Sequence, residues 1–461
     1  MKKPQPTVWR PELRGGTRQL YLQLVDAIAS DIQNGGLTVA ERLPPQRELA
    51  DRLKINYATV SRAYREAQRR GLIYSRVGHG TFVCRPRVTG VSGSRGQSLV
   101  DMTMNLPPEP RDDALWEGLE RSWCELSPRL RELLRYEEFG GSHEARSAGV
   151  RWLSRVGLAA EPDRLLVCPG AQSALGACFS LLAKPGDVAL CEEITYPGVR
   201  AVAAQLGVRL IGLPMDSEGV SSEAFARACT EHHPKLLYCN PTLQNPTTTT
   251  HSTARRRELV AVARKHGIAV VEDDAYAVLP SSPATPLAGL APELTYYVSG
   301  FAKCLGPGLR VAYLLTPDAR RAGSVAAILR ATTIMASPIT VALATECVEN
   351  GAAEAALLAI RAESVIRQEI AREALHDAVY RSQPEAFHLW LELPPPWSSA
   401  EFAAQLLVRG IRVVPSDAFA ATPSPPAALR VCLGGSASHE QLREALEQIA
   451  QLLELGPSPR G

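Results

Sequence analysis

From Leu99 onward the chain alternates short apolar runs with segments of helical periodicity, and this alternation restricts the body to one class of fold. The runs are Leu165–Cys168, Val188–Cys191, Val208–Leu213, Leu236–Cys239, Ile268–Val271, Thr295–Val298 and Val311–Leu315. Helical patterns such as Gln172–Leu182 and Thr253–His266 separate several of them. The expected architecture is α/β with a largely parallel sheet. Ligands in such sheets bind beyond the carboxyl ends of the strands, so the residues that follow each run are the ones to inspect.

After Leu165–Cys168 come Pro169, Gly170, Ala171 and Gln172, opening a helix whose free N–H groups suit a phosphate. Val188–Cys191 leads to Tyr196-Pro197-Gly198, where Tyr196 suits either a ring-stacking aromatic or a turn aromatic. Leu236–Cys239 leads to two Asn-Pro turns, Asn240-Pro241 and Asn245-Pro246. These serve turn chemistry, and Asn245 is also a candidate hydrogen-bond partner. Ile268–Val271 runs into Glu272-Asp273-Asp274-Ala275-Tyr276. Carboxylates directly after a buried strand are costly to desolvate, so a cationic partner is expected.

One cation stands in the segment Val298 to Tyr313. It reads as a strand, a tight piece carrying Lys303, the turn Gly306-Pro307-Gly308, and a second strand with Arg310 at its mouth. A lysine among apolar and small residues is poorly solvated, and its pKa tends to fall. Such an amine can form a Schiff base with an aldehyde, and Arg310 offers a fixed cation for a phosphate.

The first part of the chain has a different character. Residues 1–90 carry 16 Lys and Arg against 7 Asp and Glu, whereas the remainder carries 34 against 41. A basic unit on a mildly acidic body points to a polyanionic partner for the first and a small-molecule role for the second. Leu20, Leu24, Ile28 and Ile32 mark one helix. A second is expected over Gln46–Leu53 with Pro45 near its first turn, and a third over residues 58–70. The third buries Val60, Ala63, Tyr64 and Ala67 and turns Thr59, Arg62, Arg65 and Arg69 outward. A hairpin follows, residues 72–77 and 81–83, joined by Gly78-His79-Gly80. Helix–turn–helix followed by a hairpin is a winged helix, with the third helix suited to a major groove and the wing tip to close approach. A Gly/Ser/Arg-rich linker over residues 86–98 reaches roughly 20 Å as a random coil.

No apolar run approaches bilayer-spanning length, and the N-terminus lacks the apolar core of a signal peptide. The ten cysteines are scattered without a C-x-x-C pair. Buried thiols in a reducing compartment, without a metal site, are therefore expected. The tail from Leu455 is expected to be disordered.

The stretches Leu20–Leu24, Leu43–Ala50, Ala58–Tyr64 and Gly78–Val83 resemble the GntR family of winged-helix repressors. The resemblance implies a DNA-binding domain over residues 14–85, with Arg47, Thr59 and Gly80 touching phosphate or base edges. Arg62 and His79 belong to the same face and wing tip. Where the family usually has Arg before the Ala-Thr-Val segment, this chain has Tyr57. The body, residues 99–455, resembles the fold-type I aminotransferases that use pyridoxal 5′-phosphate, with a large α/β domain and a small C-terminal α+β subdomain from about residue 345. That resemblance implies that Lys303 forms the internal aldimine and Asp273 protonates the pyridine nitrogen. It further implies that Asn245 and Tyr276 bond the ring oxygen, that Tyr196 stacks on the ring, and that Ala171, Gln172 and Arg310 hold the phosphate. Tyr136 resembles the residue lent by a neighbouring subunit, and Arg430 the clamp on a substrate carboxylate. Two positions depart from the pattern: Gly300 replaces the usual Ser or Thr three residues before the lysine, with Ser299 beside it, and Thr248 replaces a glycine.

A winged helix joined to such a body resembles the MocR subfamily of GntR-type bacterial regulators. The expectation is a cytoplasmic, pyridoxal-phosphate-dependent regulator, a head-to-tail homodimer on a double-stranded DNA operator. It would sense an amine, an amino acid or the cofactor itself. A working aminotransferase tethered to DNA and a body serving only dimerisation are the alternatives.

Overall fold

A computed structural model describes residues 20–33, 36–37, 41–69, 72–76, 80–83, 99–110 and 112–455, together with Trp9 and Pro11. The chain divides into two compact units, Met1–Gly96 and Gln97–Gly461. His79, the expected linker 86–98 and the tail 456–461 lie outside the described residues.

In the first unit the apolar spacing produces helices α1 (Leu20–Gln33), α2 (Gln46–Leu53) and α3 (Tyr57–Arg69). The predicted inner face of α3, Val60, Ala63, Tyr64 and Ala67, is buried with Leu24, Val25, Ile28 and Leu49. The Tyr64 hydroxyl donates to Pro44 O at 2.8 Å, fixing α3 against the entry to α2. The α3 helix begins one residue earlier than the sequence pattern suggests, because Asn56 Oδ1 accepts from Ala58 N at 2.8 Å and satisfies an otherwise orphaned donor. Strands β1 (Ile73–Arg76) and β2 (Gly80–Val83) form the antiparallel wing. Residues 41–43 add to its edge through Leu43 N to Thr81 O and Val83 N to Glu41 O, both 2.9 Å. That third edge was not visible in the pattern.

The second unit begins with a short strand, β3 (Val100–Asp101). Its large sheet is then built, in chain order, from β4 (Leu165–Cys168), β5 (Val188–Glu192), β6 (Arg209–Leu213) and β7 (Leu236–Cys239). It is completed by β8 (Ala269–Asp273), β9 (Thr295–Gly300) and β10 (Ala312–Leu315). All seven expected strands are present, in the spatial order β4-β10-β9-β8-β7-β5-β6. The β10 strand runs antiparallel to both its neighbours, and the remaining pairings are parallel. Helix Ala171–Leu182 follows β4, and helix Thr253–His266, capped by Ser252 and closed by left-handed Gly267, precedes β8.

The small lobe is a four-stranded sheet made from β11 (Tyr380–Arg381), β12 (His388–Glu392), β14 (Val414–Pro415) and β15 (Ala428–Cys432), in the order β11-β12-β15-β14. The remaining strand, β13 (Ile411–Arg412), pairs in parallel with β3. The small lobe therefore also contains the first residues of the unit, which a boundary drawn only from residue 345 leaves out. Its core joins Met102 to Leu389, Leu391, Val431 and Ile449.

Gly300 closes β9 opposite Ala312. Its φ of −175° is extended backbone that any residue adopts, so space is what keeps it glycine. A Cβ there would sit 2.8 Å from Val311 O and 2.9 Å from Ala312 Cα. The serine usual at this position has no room unless β10 shifts. Gly300→Ser is expected to lower stability by about 1–3 kcal/mol, as overpacking does. Chemical denaturation of the ligand-free protein checks this, and an unchanged midpoint would contradict it.

Candidate functional site

The carboxyl ends of β4, β5, β7, β8 and β9 open onto one cavity of about 490 Å³. Lys303, Asp273, Tyr276, Asn245, Tyr196, Ala171, Gln172, Arg310 and Arg430 all line it. Lys303 ends the short 3-10 turn Phe301–Lys303 directly after β9, anchored by buried Phe301, which packs on Trp152 at 5.1 Å. Burial pushes the Lys303 amine down from 10.5 to about 8. Its Nζ donates to Asn105 O at 2.5 Å and lies 5.6 Å from the centre of the Tyr276 ring.

Asp273 is the last residue of β8. Burial raises its carboxyl to about 6, against the lowering effect of the Tyr238 hydroxyl, which donates to Oδ2 at 2.9 Å. Its Oδ1 is buried and has no hydrogen-bond partner. Asn240 holds the strand end by donating from Nδ2 to Asp273 O, and its Oδ1 accepts from Asn245 N at 2.8 Å. The two Asn-Pro turns thus form one clamp. Asn245 Oδ1 accepts from Arg430 Nη1 at 2.7 Å, which leaves the amide NH₂ of Asn245 as its donor toward the cavity. The Tyr276 hydroxyl accepts from Asn105 Nδ2 at 2.8 Å, so its own proton is free to point elsewhere.

A second group of polar residues lies at the start of helix Ala171–Leu182. Gly170 is left-handed (φ 88°) and supplies no capping side chain. A Cβ on it would meet the Arg310 guanidinium at 2.8 Å. Glycine therefore lets a cation lie directly against a helix N-terminus, where first-turn N–H groups await an acceptor. Gln172 turns its amide to Gly198 O at 2.9 Å, so its main chain faces the site. Arg430 reaches in from β15 of the small lobe, with its Nη2 on Thr103 O and its Nε without a partner.

Two expected residues are not brought in. Ser299 lies on β9 with its hydroxyl donating to Asp274 O at 3.3 Å, because alternation along the strand turns it away from the side that Gly300 faces. Tyr136 is 79% exposed and lines a separate surface recess with Arg129 and Glu137. The cationic partner expected for the acidic run is Arg256, 3.6 Å from Glu272, with both side chains fully buried. Burial and Asp274 still push Glu272 upward, to about 8, although it also accepts from Leu287 N and Ala288 N at 2.8 Å. Thr248 adopts the left-handed conformation (φ 60°). This explains the usual glycine, since such a backbone costs other residues about 1–2 kcal/mol. Asn105, Asn240 and Tyr238 escaped the sequence reading. Tyr238 and Asn105 sit in apolar surroundings without a motif, whereas Asn240 carried a turn signal.

Of the described cysteines, Cys124 is exposed and the other eight are buried. No described helix is long and apolar enough to cross a membrane. In the first unit, Arg47, Tyr57 and Arg62 are exposed at α2 and α3, and Thr59 is half-buried. Arg47 lies over the Tyr57 ring at 6.0 Å and Arg62 over the Tyr21 ring at 4.2 Å, both within cation–π reach. Gly80 (φ 114°) gives room to the Arg42 guanidinium, whose Nε would be 2.7 Å from a Cβ.

Chemically, the cavity offers a poorly solvated amine, a carboxylate with one open oxygen, and a helix N-terminus backed by a guanidinium. These suit a planar ring with a basic nitrogen, a carbonyl carbon and a phosphate ester.

The family model for aminotransferase class I and II matches residues 121–449, and that for bacterial regulatory proteins of the gntR family matches residues 20–83. An uncharacterized HTH-type transcriptional regulator of Bacillus subtilis, YdeF, is 28% identical over 453 residues, 97% of this chain and 97% of that protein. The probable rhizopine catabolism regulatory protein MocR of Rhizobium meliloti is 26% identical over 326 residues, 65% of each chain. Among solved structures, the α-aminoadipate aminotransferase LysN of Thermus thermophilus, complexed with N-(5′-phosphopyridoxyl)-L-leucine, aligns with a TM-score of 0.71. The identity is 22%, over 78% of this chain and 92% of that one.

Acylation of Lys303 requires the neutral amine, which accumulates above its pKa. In the ligand-free protein, trace labelling with acetic anhydride is expected to reach half its maximal rate at pH about 8, from the lowered Lys303 value. Surface lysines labelled in the same sample should follow the ordinary value of roughly 10.4. Coincident profiles would contradict the burial argument.

Proposed function

Because the chain belongs to the class I and II aminotransferase family and carries a gntR-family domain ahead of it, as MocR-type regulators do, we propose that it is a cytoplasmic transcription regulator whose body binds pyridoxal 5′-phosphate and responds to an amino compound. One observation carries the reading. The open oxygen of Asp273, the Lys303 amine and the helix N-terminus beside Arg310 converge on a single cavity.

When bound, the cofactor supplies a carbonyl carbon for an amine and a ring that accepts electron density. Lys303 provides the amine. Asp273 Oδ1 would keep the ring nitrogen protonated by accepting its N–H hydrogen bond, and the hydrogen bond from Tyr238 keeps that carboxyl oriented. Asn245 donates from its amide and Tyr276 from its hydroxyl to the ring oxygen. Tyr196 covers one face of the ring. Arg310 and the N–H groups of Ala171 and Gln172 take the phosphate. Arg430 receives an effector carboxylate on its unpartnered Nε edge. The exposed position of Tyr136 suits donation to a neighbouring subunit in a head-to-tail homodimer.

On the DNA side, Arg47, Tyr57, Thr59 and Arg62 form the face that meets a double-stranded operator, with Gly80 at the wing. A ligand shifts DNA binding only through different affinity for two arrangements of the chain. The presence of every reacting group in one cavity also favours a second reading, a working aminotransferase. Sustained turnover with a keto acid, at ordinary rates of roughly 1–10³ s⁻¹, would distinguish it from a half-reaction that stalls.

Full-length protein loaded with pyridoxal 5′-phosphate and then freed of unbound cofactor is expected to retain a visible absorption band, and Lys303→Ala to lack it. No band in the unsubstituted protein would refute the cofactor reading. On duplex DNA, Arg47→Ala is expected to weaken binding and reduce the log–log salt slope by about one phosphate contact. An unchanged slope would exclude Arg47 from the interface.

A further inference from the structure

Residues 99–108 run along the small lobe directly after the expected linker. The β3 strand pairs with β13, Cys432 N donates to Met102 O at 3.1 Å, and Gly435 N donates to Pro107 O at 3.1 Å. Both ends of this stretch are thus fastened to the small lobe. Close packing reinforces the second fastening, since a Cβ on Gly434 would collide with Leu106 O. Between them, residues 103–106 dip into the cavity. Lys303 Nζ donates to Asn105 O, Asn105 Nδ2 donates to the Tyr276 hydroxyl, and Arg430 Nη2 donates to Thr103 O. Three residues of the ligand cavity therefore hold one short strap, and the chain running back from that strap leads through the linker to the DNA-binding unit. Met104, at its centre, is 63% exposed, so little packing opposes its displacement.

We propose that residues 103–106 form a strap that reads the chemical state of Lys303: the free amine holds it through Asn105 O, and an amine condensed with a ligand's carbonyl group releases it. This rests on the reading of the cavity as a site for a carbonyl ligand. In the condensation the nitrogen lone pair forms the new bond to the carbonyl carbon. The carbonyl oxygen leaves as water with two hydrogens from the neutral amine, and a C=N bond remains. The nitrogen then keeps at most one hydrogen, and its direction is set by the ligand, so Asn105 O loses its donor. Arg430 is not the switched contact, because it stands on β15 of the small lobe and its bond to Thr103 O ties the strap to that lobe rather than to the large domain. The Lys303 bond joins the large domain to a segment fastened to the small lobe, so its loss leaves the Asn105 bond to the Tyr276 hydroxyl as the strap's remaining side-chain tie there and loosens it.

Hydrogen–deuterium exchange on the full-length protein, with and without saturating pyridoxal 5′-phosphate, tests this. Saturation is followed by the cofactor's visible absorption. Exchange over residues 103–106 is expected to rise roughly fivefold, the equivalent of one net hydrogen bond. Lys303→Arg keeps a donor but cannot condense, and should show no rise. Lys303→Gln serves the same purpose should the arginine variant not fold. A saturated protein with unchanged exchange overturns the strap while leaving the cofactor reading intact, as does an equal rise in the variants. Absence of the absorption band overturns the cavity reading itself, and the strap with it.

Discussion

The site depends on satisfying a carboxylate at the end of a buried strand. Asp273 sits where β8 leaves the sheet, surrounded by apolar packing that penalises its charge. Tyr238 satisfies one oxygen and Asn240 fixes the peptide behind it. Asn240 in turn orients Asn245, and Asn245 orients Arg430. A single chain of hydrogen bonds therefore runs from a core tyrosine to the cation on the small lobe. Lys303 faces the same cavity from β9, and its own desolvation makes it a better nucleophile at neutral pH.

A second buried network stands behind the first. Arg256 is fully enclosed and bonds His251 O, Pro241 O and the Thr242 hydroxyl while facing Glu272. Enclosed ion pairs of this kind contribute little net stability, because desolvation offsets most of the attraction. Their effect here is positional. Pro241 and Thr242 lie between Asn240 and Asn245, so the arginine fixes the loop that carries both asparagines. Glu272 precedes Asp273 and accepts from the start of helix Leu287–Leu290, which holds the strand end in register. Rigid support behind the cavity lets small changes in front of it be felt in the lobe.

Most of the fold was legible in the sequence. Short apolar runs gave seven strands, all but the edge strand β6 buried on both faces, and the helices of the first unit followed from their periodicity. What the pattern missed were pairings without hydrophobic signature: two residues at 100–101 that join the small lobe, and residues 41–43 that extend the wing. The cavity was legible to the extent that its residues follow strands. Ser299 misled because adjacency in sequence means opposite faces in a strand. Gly300 and Thr248 were visible as departures, but their meaning was not. One is a question of space beside β10, the other of backbone hand. Tyr136 stands apart from the cavity of its own chain, a placement that no pattern in the sequence discloses.

The energetics of coupling bear on what such a cavity can transmit. A net hydrogen bond contributes about 1 kcal/mol, whereas coupling between distant sites is typically about 1–3 kcal/mol. Loss of the Lys303 bond to Asn105 O thus reaches the lower end of that range unaided. The same asparagine also holds the Tyr276 hydroxyl, the group placed to meet a bound ring. A ligand oxygen that accepts the Tyr276 hydroxyl proton leaves that bond in place, because there the hydroxyl oxygen accepts from Asn105 Nδ2, so the amine contact alone is switched. The groups proposed to hold a phosphate, Arg310 and the helix N-terminus beside Gly170, are distinct from the group proposed to carry the coupling, Lys303. A change in one can then leave the other standing, which suits a site whose output is a shift in population more than a turnover rate.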